Sequence, residues 1–434
     1  MERTFVSQIA ESTESKLMVR GWIHKIHDLG KITFIHLRDK TGIIQLVIDN
    51  ELQAHLKKDH LRLEMSLEVT GTKVENPKAP NGIEIHVEDL IIKGKAYYDK
   101  LPFEINSGKM KASLETQLDY RTISLRMPKI RAIFKVQEEI TDAFRTYLKS
   151  KMFSEIHTPK IISSSTEGGS ELFTVNYFER RAFLSQSPQF YKQMMVGAGF
   201  ERVFEIGHAY RAELHNTWRH LNEYVSLDVE MGFINDENDL MDIEEGFLKF
   251  LFQQIKQNCS YELGLFKMEL PEIKTIPRID LGECHRILLE KFGKKSPTGN
   301  IDAEGEILFS KYVKETYDSD FVFLTKYPVA KRPMYTMPDD QDPTLTKSFD
   351  LIYKGLEITT GGQRIHDYEM LKNNIIKFGS DPELFGFYLN SFRYGMPPHG
   401  GFAIGLERIT LKILGLDNIR ESTLFPRDMK RLEP

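Results

Sequence analysis

Cysteine is nearly missing from this chain. Its 434 residues hold two, Cys259 and Cys284, with no CxxC pair. That excludes a disulfide framework and a cysteine zinc site, and both read as structural thiols. Long apolar runs are missing too: none approaches the roughly 20 residues needed to span a bilayer. The first residues, MERTFVSQIAESTE, show no basic stretch followed by an apolar one, so the expectation is a cytoplasmic protein with no membrane segment. There is no GxxxxGK[ST] and no HExxH, and the histidines are scattered, which argues against a histidine metal site. A basic excess is also lacking. The formal net charge of -5 excludes a generic nucleic-acid coat while leaving room for a local basic track. What is present is ordinary for a globular protein, with 41% hydrophobic and 28% charged residues and length for two or three domains.

Residues 1 to about 95 read as short strands: KLMVRGWIHKIHD, KITFIHLRDKTG, IIQLVID, LEVTGTKVEN and GIEIHVEDLIIKGKA. Closely spaced turns between them predict a small β-barrel, an OB-fold, with an SH3-like barrel or the edge of a larger sheet as the alternative. Basic and acidic residues balance here, so RNA binding would lean on stacking and base contacts rather than bulk charge. Phe34 is a candidate stacking platform, although a lone aromatic on a strand is more often core. Residues 96–128 read as a linker with short helical pieces. Ile130, Ile133, Phe134, Ile140, Phe144, Tyr147 and Leu148 recur at helical spacing up to Lys151. SEIHTPKII follows as a strand, and its Pro159 belongs at a sheet edge or an interface. A helix runs from Asp236 to Asn258, residues 260–345 are mixed, and strong pattern returns in SFDLIYKGLEITTGGQRIHDYEML and FRYGMPPHGGFAIGLERITLKILGL.

The stretch RVFEIGHAYRAELHNTWRHLNEYVSLDVE, Arg202 to Glu230, reads as two strands joined by a polar loop. Arg211, Glu213, Arg219, His220 and Glu223 crowd the mouth of that hairpin. Such alternating charge suits a polyanion carrying a base, since arginine forks onto phosphate and a carboxylate accepts from an exocyclic amine; the bland alternative is a solvated tip. Further candidates are Glu167 in the glycine-rich STEGGSELF and Ser187, Gln189 and Lys192 in SQSPQFYKQ. Asp350, Glu357, Thr360 and Arg364 lie in SFDLIYKGLEITTGGQR, and Glu407 and Arg408 close GGFAIGLERI. Asp350 and Glu357 suit a hard divalent cation such as magnesium. The alternative for each is a half-buried acid paired with a lysine or arginine.

Together these segments resemble the class II aminoacyl-tRNA synthetases. Residues 202–231 resemble motif 2 of that family, about 400–412 motif 3, and about 140–162 motif 1, which implies a homodimer. HTPKIISSSTEGGSELF, QSPQFYKQ, YRAELHNTWRHLNE, GGQRIHD and RYGMPPHGGF look most like the archaeal-type aspartyl branch, with the asparaginyl branch as the alternative. The resemblance implies an α+β protein: an OB-fold anticodon-binding domain over 1–100, a linker over 101–129, and a catalytic domain over 130–434 built on an antiparallel sheet flanked by helices. It implies ATP-dependent attachment of L-aspartate to tRNA(Asp) through an aspartyl-adenylate, with Mg2+. Carried over by position, Arg211 grips the α-phosphate, Glu213 faces the adenine, and Arg219 and His220 handle the outer phosphates. Arg408 stacks by the adenine, making Arg211 and Arg408 the catalytic pair; Leu221, Gly405, Leu406 and Glu407 complete the ATP set. Glu357 and Thr360 match the magnesium pair, with Asp350 as a further ligand. Glu167, Ser187, Gln189 and Asp228 match the surroundings of the ammonium group, with Thr360 beside them, while Lys192 and Arg364 match the holders of the side-chain carboxylate. Phe34, Gln45 and Glu84 match anticodon contacts. His24 and Pro80 stand where tRNA-discriminating members carry Trp and Lys, which resembles the form that also charges tRNA(Asn). Ala403 and Tyr224 depart from the commoner glycine and phenylalanine and bear on fine geometry only.

Overall fold

A computed structural model describes the chain except residues 50, 53–60, 99, 107–109, 164–171 and 215–216. It divides into two compact units, Met1–Ser113 and Leu114–Pro434.

In the first unit, β1 (Lys16–Asp28), β2 (Thr33–Arg38), β3 (Ile43–Ile48), β4 (Ser66–Glu75) and β5 (Ile83–Gly94) close a barrel in the order β1-β2-β3-β5-β4. Period-two alternation fills it: Ile35 and Leu37 of β2 and Ile44, Leu46 and Ile48 of β3 point inward. The same alternation turns Phe34 and His36 outward, so Phe34 is half-buried and lies outside the core. Gly71 sits at a register shift between β4 and β5, where a side chain would strike the His86 carbonyl; here the strand has to be glycine to bend. The closed barrel fits the OB-fold expectation and excludes a sheet edge.

The second unit carries an eight-stranded sheet: β12 (Arg278–Asp280), β13 (Phe321–Thr325), β14 (Ser348–Tyr353), β15 (Leu356–Arg364), β16 (His399–Gly405), β11 (Glu223–Gly232), β10 (Arg202–Tyr210) and β6 (Ser154–Glu155). Its body is antiparallel, and only the edge pairs β12–β13 and β10–β6 run parallel. Helices Pro128–Ser150, Glu237–Asn258 and Leu406–Leu414 bury Phe144, Phe247, Leu251 and Ile409 in one core with Leu227, Phe349 and Phe402 of the sheet. Gly246 lets the first two helices approach, since a methyl there would collide with the Tyr147 hydroxyl.

One expected strand is broken. SEIHTPKII is not continuous: Ser154–Glu155 joins the large sheet, and β7 (Ile161–Ile162) joins a separate three-stranded sheet with β8 (Thr174–Tyr177) and β9 (Arg180–Leu184). Pro159 has no N–H to donate, and its neighbours turn onto one buried acid. Thr158 Oγ1 donates to Glu205 Oε2 at 2.7 Å and Lys160 Nζ to Glu205 Oε1 at 2.7 Å. Helices Leu114–Asp119 and Arg121–Ser124 lie in the second unit.

His24 also differs from its expected place. It is 7% exposed at the register shift in β1, where Arg38 Nη1 donates to its Nδ1 at 2.9 Å and Arg38 Nη2 pairs with Glu64 at 2.7 Å. It therefore presents no face to a base. Burial, reinforced by the Arg38 charge, lowers its pKa to about 4. The folded ring stays neutral while the unfolded ring takes a proton below its ordinary value, so this histidine costs stability progressively as pH falls from about 6.5 to 4. His24→Gln is expected to flatten the pH dependence of the melting temperature across that window relative to the parent. Parallel curves for the two proteins would show that the ring is not buried in its neutral form.

Candidate active site

The hairpin β10–β11 pairs without interruption from Arg202↔Met231 to Tyr210↔Glu223. Asn222 closes its mouth. The Arg211 N–H donates to the Asn222 carbonyl at 2.9 Å, and Asn222 Nδ2 returns bonds to the carbonyls of Arg211 (2.7 Å) and Glu213 (3.1 Å). This lock turns Arg211 and Glu213 to the same cavity, with Arg211 Nη1 3.8 Å from Glu213 Oε1 and His220 Nε2 3.7 Å from Glu213 Oε2. The Arg211 guanidinium lies 5.6 Å from the Tyr224 ring centre.

That cavity encloses about 300 Å3. Arg219 and Leu221 line it from the hairpin, Glu357 and Thr360 from β15, and Gly405 and Arg408 from the junction of β16 with the helix Leu406–Leu414. Arg408 Nη1 donates to the Glu357 carbonyl at 2.9 Å and stands 3.6 Å from its carboxylate, while Thr360 Oγ1 donates to that carboxylate at 3.0 Å. Burial works against ionisation of Glu357, yet Arg408, Thr360, Arg332 and Arg219 outweigh it and hold the acid below its ordinary pKa. Two residues assigned to this set turn elsewhere. Leu406 is buried in the main core, because the helix must bury that face. Glu407 borders the cavity but gives its carboxyl to the Val225 N–H (3.1 and 3.2 Å), and burial pushes its pKa up to about 8.

A second cavity of about 790 Å3 adjoins the first, and Arg211, Tyr224, Ser226, Thr360 and Ala403 line both. Ser187 and Gln189 stand on one wall. In its floor, Lys192 Nζ donates to Asp228 Oδ1 at 2.9 Å and lies 3.4 Å from Glu230 Oε2. Arg364 straddles Glu230 (3.0 and 3.3 Å) and also reaches the Gly401 carbonyl at 2.9 Å and Gln189 Oε1 at 3.4 Å. All four charged side chains are buried. Burial alone would raise Glu230, but Arg364 and Lys192 bring its pKa below the ordinary value.

Glu230 was not singled out from sequence as a site residue. The signal was there: Ser226, Asp228 and Glu230 alternate on one face of a strand whose other face is apolar. The Asp350 carboxylate lies 2.8 Å from Arg332, a cavity-lining residue the sequence did not suggest. Among the described residues no three His, Cys, Asp or Glu gather as a metal cluster. Glu167 lies outside the described residues.

On the barrel, β2, β3 and β5 bring Gln45 and Glu84 into register. Glu84 accepts from Gln45 Nε2 and Asn76 Nδ2, each at 2.9 Å, and lies 2.9 Å from His86 Nε2. Phe34 lies two strands along the same outer surface. Pro80 opens the short turn Pro80–Gly82 between β4 and β5 and takes no part in this network.

Comparison with known proteins agrees with this geometry. A family model described as tRNA synthetases class II (D, K and N) matches residues 113–429, and one described as OB-fold nucleic acid binding domain matches 17–92. The chain is 46% identical over 440 residues to an aspartate–tRNA(Asp/Asn) ligase of Aeropyrum pernix, covering 99% of each. It is 44% identical to an aspartate–tRNA(Asp) ligase of Pyrococcus abyssi over 99% of each. Its fold matches the asparaginyl-tRNA synthetase of Pyrococcus horikoshii complexed with asparaginyl-adenylate at a TM-score of 0.92, with 32% identity and full coverage of both chains. With a hairpin, a β15 acid and a β16–helix arginine converging on one cavity, and with these matches across its length, the chain belongs to the class II tRNA synthetases of the D, K and N group.

Proposed function

We propose that this protein activates L-aspartate with ATP and transfers it to tRNA(Asp), and that it also charges tRNA(Asn). The observation that carries the amino acid is the buried set Lys192, Arg364, Asp228 and Glu230. On this reading aspartate brings one ammonium and two carboxylates to a pocket where Arg211 supplies a third protein cation. Positive and negative charges then match. Asparagine leaves one buried cation unmatched, a penalty large enough for strong discrimination.

ATP occupies the first cavity, with its α-phosphate at Arg211 where the two cavities meet. An oxygen of the aspartate α-carboxylate attacks the α-phosphorus, the bond to the β-phosphate oxygen breaks, and pyrophosphate leaves with that electron pair. No side-chain nucleophile is used. Arg211 and Arg408 offset the charge, and the two pockets hold the reactants in line. A terminal ribose hydroxyl of the tRNA then attacks the adenylate carbonyl and AMP leaves. Glu357 and Thr360 suit magnesium, which takes one or two carboxylates and completes its shell with phosphate and water. Magnesium supplies charge neutralisation at the outer phosphates when bound. Asp350, already paired with Arg332, serves this site as a neighbour.

Phe34 and the Gln45–Glu84 pair offer a stacking ring and base-edge partners for an anticodon loop. The relaxed tRNA choice is supported by His24 and Pro80 and by relatives named for both tRNAs; because His24 is buried, its influence passes through Arg38. A cytoplasmic homodimer fits the family reading, and the exposed Met152, Ile161 and Phe233 beside the motif 1 region and β11 suit a second copy of this chain.

Arg211→Ala is expected to lower aspartate-dependent ATP–pyrophosphate exchange by at least about 10³-fold with an unchanged circular dichroism melt; near-normal exchange would reject the assignment. Charging assays pairing aspartate or asparagine with tRNA(Asp) or tRNA(Asn) are expected to give product with aspartate on both tRNAs. Product on tRNA(Asp) alone would remove the relaxed reading, and product with asparagine would point to the asparaginyl alternative.

A further inference from the structure

One buried acid reaches the hairpin loop from outside the cavity lining. Glu306 lies on the helix Ala303–Tyr317, and its side chain is 3% exposed. Arg219 forks onto it, Nη1 to Oε2 at 2.9 Å and Nη2 to Oε1 at 3.3 Å. A bidentate guanidinium–carboxylate pair fixes the plane of the arginine as well as its position. Arg219 lines the first cavity while Glu306 stands behind it. The rest of this limb is moored to two other elements. The Ile419 N–H donates to the Trp218 carbonyl at 2.8 Å. The Lys412 ammonium lies 5.6 Å from the Trp218 ring and donates to the Lys354 carbonyl at 2.9 Å. Burial, with the nearby Glu357 charge, raises the Glu306 pKa and Arg219 opposes that rise, so the carboxylate depends on its guanidinium partner.

We propose that Glu306 is a positioning residue for ATP, holding the Arg219 guanidinium so that its free N–H edge faces the outer phosphates before nucleotide arrives. This rests on the ATP reading of the first cavity. A loop arginine without such a partner loses its rotamer freedom on binding, and that cost is subtracted from affinity. A competing design, in which Glu306 and phosphate vie for Arg219, has the opposite sign: removing the acid would then tighten ATP.

The test varies ATP in aspartate-dependent pyrophosphate exchange with the full chain. It compares the parent, Glu306→Gln, Glu306→Asp, Arg219→Ala and the double variant Glu306→Gln/Arg219→Ala, and measures binding of a non-hydrolysable ATP analogue by calorimetry alongside. Glu306→Gln is expected to raise KM and Kd for the nucleotide about tenfold, the effect of one lost charged contact. The KM for aspartate stays within about twofold, and kcat moves less than KM. Glu306→Asp falls between. The double variant leaves no orphaned charge, so it folds even where Glu306→Gln does not, and it matches Arg219→Ala because the acid acts through that arginine. An unchanged or lowered nucleotide KM in Glu306→Gln overturns the proposal. So does a double variant markedly worse than Arg219→Ala. Absence of exchange in the parent instead defeats the ATP reading itself.

Discussion

Four charges taken out of water hold the floor of the second cavity together. Burying an ion costs several kcal/mol even after relaxation, and Lys192, Arg364, Asp228 and Glu230 meet that cost by pairing with one another and with neighbouring groups, among them the Gly401, Val229 and Phe402 carbonyls and Gln189. Glu230 is the hinge of the set, since both cations touch it. Removing any one member changes the charge that a ligand has to bring for the set to balance. On the proposed reading, with Arg211 counted beside these four, a ligand carrying a second carboxylate completes the charge balance before any detail of fit.

The sheet makes this arrangement possible. β11 presents Asp228 and Glu230 inward at two-residue spacing, and its neighbour β16 sets Ala403 opposite Asp228 and Gly401 opposite Glu230. A side chain at Gly401 would occupy the place of the Glu230 carboxylate. The glycine-rich run before Arg408 thus makes room for the charged floor of the second cavity as well as bordering the first. Arg211, locked by Asn222 at the hairpin mouth, lies where the two cavities touch. On the proposed reading both ligands reach this one cation.

Sequence legibility tracked the length scale of the forces. The barrel and the hairpin were readable because strand alternation is local, and Lys192, Arg364 and Arg408 were readable because they sit in short motifs. The strand over 154–162 was misread because Glu205, far along the chain, draws Thr158 and Lys160 out of line. Glu230 escapes a sequence reading because an acid on a strand is usually solvated, whereas here Lys192 of the helix Gln189–Met195, Arg364 of β15 and Gly401 of β16 close over it. Glu306 lies in a helix whose sequence carries no motif, and its partnership with Arg219 spans 87 residues. His24 is covered by Arg38 of the paired strand β2, a side-chain partnership that strand alternation alone does not announce.

The central claim is that amino-acid choice is set by buried charge balance around Glu230, and substitution of Lys192 probes it most directly. In Lys192→Met the pocket has one cation fewer, so asparagine becomes the matched ligand and aspartate the mismatched one. The ratio of kcat/KM for aspartate over asparagine in pyrophosphate exchange is predicted to fall by at least about 100-fold, or roughly 2.7 kcal/mol, with the asparagine value held or raised. An equal loss for both amino acids would contradict the account, because it would mean that Lys192 serves the pocket's structure and not its choice of charge.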